Sequence, residues 1–193
     1  MNSMQKIVAI VGMPGAGKSE VADFFIKHKY SYVRLGQITL DEVKKRRLEP
    51  NEKNERLIRE GFRKKYGMAA YAILNMAKIK KEKGNIVIDG LYSWEEYLYF
   101  KKNLPEIIIV SIYSSPKTRY ARLMGRAKLH KKDPNLKYRS FSMAEAKSRD
   151  LAEIENLNKG GPIAMADYTV INEGTKEDLH KDLEGILREL DAK

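Results

Sequence analysis

The sequence predicts an α/β protein, a parallel sheet covered by helices on both faces, on three observations. Short, nearly continuous β-branched runs recur at residues 6–11, 86–89 and 107–113, as in strands buried on both sides. Segments with helical spacing separate them, the alternation of βαβ units rather than hairpins. The first run breaks at a glycine-rich stretch and passes directly into a helical pattern.

Taken in order, residues 6–11 form the first strand, and residues 18–28 a helix with Val21, Ala22, Phe24 and Phe25 at helical spacing. Residues 30–35 read as a second strand. Residues 40–48 and 56–66 read as two charged helices around Pro50, and 68–83 as a longer one with Ala72, Met76 and Ile79 on one face. Residues 86–89 are the third strand, and Ser93 with Glu96 forms a capping box that opens the next helix. After the fourth strand, 107–113, Ser115 and Pro116 supply an N-cap and a proline at the first helical position of a helix running to about Gly125. Residues 127–141 have little periodicity and much charge and read as a mobile loop. A second capping box, Ser142 with Glu145, starts a helix to about Leu157; 168–172 is the fifth strand and 175–190 the closing helix. The segments 37–67 and 126–158 are longer than a simple crossover requires, the kind of insertion that forms flaps over a site.

A chain of 193 residues suits one domain with its own core. It contains no cysteine, which removes thiol catalysis, zinc ribbons and disulfide scaffolds together. The N-terminal residues lead straight into a strand rather than a secretory signal. No apolar run approaches the ~20 residues of a membrane span. A cytoplasmic protein that does not engage a membrane is therefore expected. The net charge is +11, and its placement is uneven. Eleven Lys and Arg against two acidic residues fall between Lys117 and Arg149, so the remainder of the chain is nearly balanced. One polyanion-binding region is implied, for nucleotide phosphates or an RNA backbone.

The strongest local signal is Gly12-Met13-Pro14-Gly15-Ala16-Gly17-Lys18-Ser19, which satisfies G-x-x-x-x-G-K-[ST] without a gap. Glycines let the backbone wrap so that successive N–H groups face phosphate oxygens, and the helix behind them adds its positive end. In this pattern Lys18 reaches the β- and γ-phosphates and the Ser19 hydroxyl ligates Mg²⁺. Asp89, at the carboxyl end of the third strand, is placed to serve the same metal, with Gly90 allowing close approach; its plainer role is an Asx turn. Arg119, Arg122 and Arg126 share a helix face, and Arg149 lies in the next helix. They would stabilise charge on a transferring phosphoryl group or form a solvated basic face. His28, His130 and His180 fit no metal spacing or triad.

With these residues placed, the chain resembles the adenylate-kinase branch of P-loop kinases, which includes dephospho-CoA kinase. It resembles still more closely an archaeal family of adenylate-kinase-related proteins. Besides residues 12–19, with Glu20 beside them, Asp89-Gly90 is similar to the start of the Asp-Gly signature, and Arg122-Leu123-Met124-Gly125-Arg126 to an Arg-x-x-Gly-Arg element. Arg149-Asp150 resembles the lid's Arg-Asp pair, and Asn172-Glu173-Gly174-Thr175-Lys176 a segment lining the adenine pocket. The resemblance implies a three-layer P-loop NTPase fold of the nucleoside-monophosphate-kinase type with a five-stranded parallel sheet. It further implies a core of 1–36, 68–126 and 159–193, an acceptor-binding insertion at 37–67, and a lid at 127–158. Arg122 would pack on adenine and Arg126 bind phosphate.

The departures lie on the acceptor side. The family's Gly-Asp-x-x-Arg becomes Gly36-Gln37-Ile38-Thr39-Leu40, and its Asp-Gly-Phe-Pro-Arg becomes Asp89-Gly90-Leu91-Tyr92-Ser93. Arg59 or Arg63 stands in for the missing arginines in this reading, and Tyr92 or Trp94 for a base-stacking ring. The expected function is phosphoryl transfer from ATP·Mg²⁺ to a nucleotide, AMP first among acceptors. Dephospho-CoA is a related acceptor whose hydroxyl proton Asp89 would accept. The rival is a nucleotide-gated protein acting on RNA or a protein partner; residues 128–139 are basic, but Tyr138 is the one aromatic there, so RNA ranks second.

Overall fold

The computed structural model describes residues 5–129 and 142–192, the side chains of residues 52 and 126–129 excepted. Five parallel strands form one sheet: β1 (Ile7–Val11), β2 (Ser31–Arg34), β3 (Ile86–Asp89), β4 (Ile108–Tyr113) and β5 (Tyr168–Ile171), in the order β2-β3-β1-β4-β5. β1 and β3 are buried along their whole length, which is why their sequences are apolar without alternation. Strand alternation still divides their side chains between two cores. Ile7, Ala9 and Val11 face a layer with Tyr71, Met76, Tyr97 and Phe100, whereas Val8 and Ile10 face Val21, Phe25, Leu183 and Ile186.

The first of these layers is built by α4 (Ala70–Lys81) and α5 (Trp94–Asn103), the second by α1 (Lys18–Lys27) and α9 (Lys176–Asp191). α2 (Gln37–Lys45) and α3 (Glu52–Tyr66) pack on each other and on α4. α6 (Pro116–Leu129) follows β4 and contacts α7 (Met143–Leu157), and the short α8 (Gly160–Ala164) docks on α5. The capping boxes read at Ser93 and Ser142 are both formed, and Thr175 with Asp178 makes a third at the start of α9.

Several elements differ from the sequence expectation, α3 among them, which begins at Glu52 rather than near residue 56. α2 begins at Gln37, directly after Gly36, rather than near Leu40. α6 continues through Gly125 to Leu129; a glycine inside a helix costs only ~1 kcal/mol, which packing of the buried Leu123 readily exceeds. Residues 127–129 are thus helical, while residues 130–141 of the expected loop lie outside the described residues. α8 has no counterpart in the sequence reading. It sits where a Cβ on Gly161 would be 2.6 Å from the Trp94 ring, so docking depends on the missing side chain. Among the described residues, no helix is long and apolar enough to cross a membrane.

The parallel order brings the ends of all five strands to one edge, where Gly12, Leu35, Asp89, Ser114 and Asn172 begin the loops. The fully buried Phe100 is the main wedge between α5 and the sheet. Phe100→Ala should lower unfolding free energy by about 3–5 kcal/mol, read from urea denaturation.

Candidate active site

The loop between β1 and α1 is squeezed against its neighbours. A Cβ on Gly12 (φ 156°) would lie 2.5 Å from the Ile112 carbonyl oxygen, and one on Gly15 (φ 82°) 2.7 Å from that of Arg119. Only glycine combines these torsions with such approach. Lys18 folds back over the loop, its ammonium donating to the carbonyls of Gly12 at 2.7 Å and Met13 at 3.1 Å. α1 opens at Gly17 with no side chain capping its first turn, and Ser19 lies in that turn. A lysine over a glycine loop at a helix N-terminus is a donor set that fits a polyphosphate.

The loop is held from outside by Arg119, which is 3% exposed. Its guanidinium donates to the Ser114 carbonyl at 3.0 Å and the Pro14 carbonyl at 3.1 Å. It also forms a two-point ion pair with Asp150 of α7, at 2.8 and 2.5 Å. The Tyr120 hydroxyl adds a third bond to the same carboxylate, at 2.9 Å. Next to this clamp, Arg122 donates to the Ser114 hydroxyl at 3.0 Å, and the Asn172 amide donates to the Ala16 carbonyl at 2.8 Å. Sequence reading put Arg119 on one helix face with Arg122 and Arg126, turned either to phosphate or to solvent. Arg119 is instead consumed by the protein itself, and the Arg126 side chain lies outside the described residues.

Asp89 ends β3 opposite Ile10 of β1, two residues before Gly12. It is nearly buried and accepts a 2.8 Å hydrogen bond from the Tyr32 hydroxyl. Burial, reinforced by the Asp89 charge, pushes the Tyr32 phenol far above its ordinary value, so it remains a donor. A carboxylate here and the Ser19 hydroxyl are hard oxygen donors that suit Mg²⁺, which takes its remaining ligands from phosphate and water. Among the described residues, no group of three or more His, Cys, Asp or Glu side chains forms a metal cage.

A cluster absent from the sequence reading adjoins Lys18. Lys159, fully buried, lies 2.5 Å from a Glu153 carboxylate oxygen and 4.5 Å from the Tyr92 ring centroid. Burial alone would raise the Glu153 carboxyl, but the charges of Lys159 and Lys18, with a smaller effect of Arg149, hold it below the usual range. Burial likewise drives the Tyr92 phenol well above its ordinary value. Arg149 is half exposed and reaches Glu153 at 3.6 Å.

On the other flank, Arg63 of α3 lies over the Tyr71 ring, 5.9 Å from its centroid, and the Tyr71 hydroxyl is 2.6 Å from that of Thr39. Arg59 is 3.6 Å from Glu55, Gly36 caps α2, and Gly90 (φ 103°) closes the turn under Tyr92. Trp94 stacks on Tyr97, with ring centroids 4.9 Å apart, and so belongs to the α5–α8 contact. Glu96 is fully buried; one oxygen accepts from the Tyr92 and Ser93 backbone N–H groups, and the other has no hydrogen-bond partner. Burial pushes its carboxyl up to about 7, against the partial relief of those N–H groups and of Arg63 and Lys159.

The structure brings Lys18, Asp89, Gly90, Tyr92, Arg122 and Arg149 around the ends of β1, β3 and β4, with Arg59 and Arg63 on the flank. Glu20 faces the opposite way, toward α9, pairing with Lys176 at 2.8 Å and His180 at 3.2 Å. The Thr175 side chain is taken up in capping α9, and Gly174 packs on Asp178. Glu153 and Lys159 carry no signal in the sequence because isolated charged residues in helices and turns form no motif, whereas the Ser93–Glu96 capping spacing marks Glu96 and the Arg-Asp resemblance marks Asp150.

An AAA-domain family model matches residues 8–148. A UPF0200 protein of Thermococcus gammatolerans is 33% identical over 189 residues, covering 95% of each chain. The chain belongs to the UPF0200 family. The UPF0200 chain is also similar in fold to TT1252 from Thermus thermophilus, with a TM-score of 0.64 and 18% identity over 97% of this chain and 99% of that one. A shikimate kinase from Acinetobacter baumannii in complex with shikimate superposes with a TM-score of 0.58 and 15% identity over 98% and 97%. The fold of this UPF0200 chain is accordingly the α/β P-loop kinase-like fold with a five-stranded parallel sheet.

Glu96 makes stability depend on pH. Its carboxyl titrates near 4.5 when the chain is unfolded and near 7 when folded, so the native state holds the extra proton between these values. Stability therefore falls as pH rises through that window, by roughly 2 kcal/mol between pH 5 and pH 8. Glu96→Gln keeps the capping acceptor and should remove most of this slope in urea denaturation at the two pH values.

Proposed function

We propose that the protein transfers the γ-phosphoryl group of ATP·Mg²⁺ to a nucleotide acceptor, in the manner of the adenylate-kinase branch, with AMP the first candidate. The observation that carries the reading is the meeting of the Lys18 loop with Asp89 across the β1–β3 pair, at the edge where the strands end. Gly12 to Ser19 would cradle the phosphates, Lys18 exchanging its two loop carbonyls for β- and γ-phosphate oxygens. Ser19 and Asp89 would hold Mg²⁺, which when bound offsets charge on those phosphates.

Arg122, Asn172, Gly174 and Thr175 would border the adenine; Arg126, just before the segment 127–158, and Arg149, within it, would approach the transferring group, that segment acting as a lid. Arg149 is half exposed and lies 3.6 Å from Glu153 of its own helix. Gly36, Arg59, Arg63, Gly90 and Tyr92 would receive the acceptor beneath the segment 37–67. In the step itself, an acceptor phosphate oxygen bonds to the γ-phosphorus as the bond to the β–γ bridging oxygen breaks. The products are ADP and a nucleoside diphosphate. An acceptor phosphate needs no general base; a hydroxyl acceptor such as that of dephospho-CoA would use Asp89.

The test is incubation with γ-labelled ATP·Mg²⁺ and a panel of nucleoside monophosphates, dephospho-CoA and short RNA. Label should move to one acceptor class, with Lys18→Ala reducing transfer by at least about a hundredfold. Slow hydrolysis, independent of every acceptor offered, would replace the kinase reading with a nucleotide-gated binding protein.

A further inference from the structure

Two orphaned polar atoms lie on the acceptor flank. One is the Glu96 oxygen Oε1 at the start of α5; the other is Arg63 Nε on α3, and both are shut off from water without a hydrogen-bond partner. They belong to one electrostatic group: Tyr71 feels the charges of both Arg63 and Glu96, and Glu96 feels that of Arg63. Leaving a buried donor and a buried acceptor unsatisfied costs about 1–3 kcal/mol each. A fold that merely needed packing would be better served by apolar side chains there, or by direct pairing of the two.

Of the two Glu96 oxygens, Oε2 is committed to the Tyr92 and Ser93 N–H groups, so the carboxylate cannot rotate to satisfy Oε1 without breaking the α5 cap. Arg63 is similarly confined over Tyr71. Once Glu96 is ionised, above about pH 7, the pair presents one fixed acceptor and one fixed donor, the latter over the Tyr71 ring, the pattern that reads the edge of a planar heterocycle.

We propose that Glu96 and Arg63 determine acceptor specificity, Glu96 Oε1 accepting an N–H of the acceptor's base and Arg63 Nε donating to the adjacent ring nitrogen or carbonyl. The proposal rests on the reading of 37–67 as the acceptor-binding segment. It adds the substrate class, a nucleotide recognised through the hydrogen-bonding edge of its base, and a residue outside any motif. Entry requires α3 to move relative to α4, on which it packs. Gly67, at φ 74°, ends α3 in a backbone state that a side chain would strain, which places a turn of low steric resistance at its base.

Glu96→Gln makes a sharp probe. The amide oxygen must take the capping position, so the atom offered to the acceptor changes from hydrogen-bond acceptor to donor while the shape is kept. Equilibrium binding of the four nucleoside monophosphates is measured by calorimetry at pH 8, in the full chain and in the Glu96→Gln and Arg63→Met variants, alongside ATP binding and transfer rates. Circular dichroism verifies folding of each variant. The expected result is at least about tenfold weaker binding of the preferred monophosphate in both variants, with the rank order of bases altered in Glu96→Gln and ATP affinity within about twofold of the parent. Unchanged monophosphate affinity and rank order in both folded variants, with transfer intact in the parent, overturns the specificity assignment and leaves the kinase reading standing. A parent that binds no monophosphate overturns the assignment, and one that transfers phosphate to no acceptor overturns the kinase reading itself.

Discussion

The buried guanidinium of Arg119 is the constraint on which the rest of the site depends. It joins three parts of the chain that share no sequence neighbourhood: the Pro14 carbonyl of the glycine loop, the Ser114 carbonyl at the end of β4, and the Asp150 carboxylate of α7. A charge this deep is tolerable only because every one of these partners is present. The same contact fixes the loop against the sheet and sets where α7 lies. Through α7 it also places Glu153 within electrostatic reach of Lys18. The Gly15 contact with the Arg119 backbone seals the arrangement from the other side.

The cationic groups around the glycine loop are held by groups that can be exchanged. Lys18 rests on two carbonyls of its own loop, and Glu153 offers its charge to Lys159 and Lys18 together. An arriving phosphate would replace neutral carbonyl oxygens with charged ones at the same lysine, a gain that grows as water leaves the cleft. Asp89 is treated differently. Its bond from Tyr32, a phenol that burial keeps protonated, orients the carboxylate in advance rather than leaving it to be ordered by a cation. The loop and Asp89 are thus held in place by the protein itself, while the flank of Arg63 and Glu96 keeps unsatisfied atoms.

How much of this was legible in the sequence follows from how local each signal is. β1 and β3 declare themselves because burial on both faces demands an unbroken apolar run, and the loop after β1 because a tight phosphate turn demands glycines at fixed spacing. Capping boxes at Ser93 and Ser142 were readable for the same reason, since partner and cap stand three residues apart. The Arg119–Asp150 pair was not, because the two residues are thirty-one apart and nothing in either segment distinguishes a buried arginine from a solvated one. Helical spacing put Arg119 on a face with Arg122, and only tertiary packing decided that it would be consumed inside the protein. α8 was missed because its docking rests on a side chain that Gly161 lacks.

The most direct test is the ATP·Mg²⁺ affinity of Asp150→Ala, measured by calorimetry at a temperature where circular dichroism shows the variant folded. Asp150 lies behind the loop, on the far end of the Arg119 clamp. If that clamp shapes the phosphate site, removing the carboxylate should weaken ATP binding by about tenfold or more, beyond its cost to stability. A folded variant that binds ATP as the parent does, merely melting earlier, would contradict the account and reduce the ion pair to a structural brace.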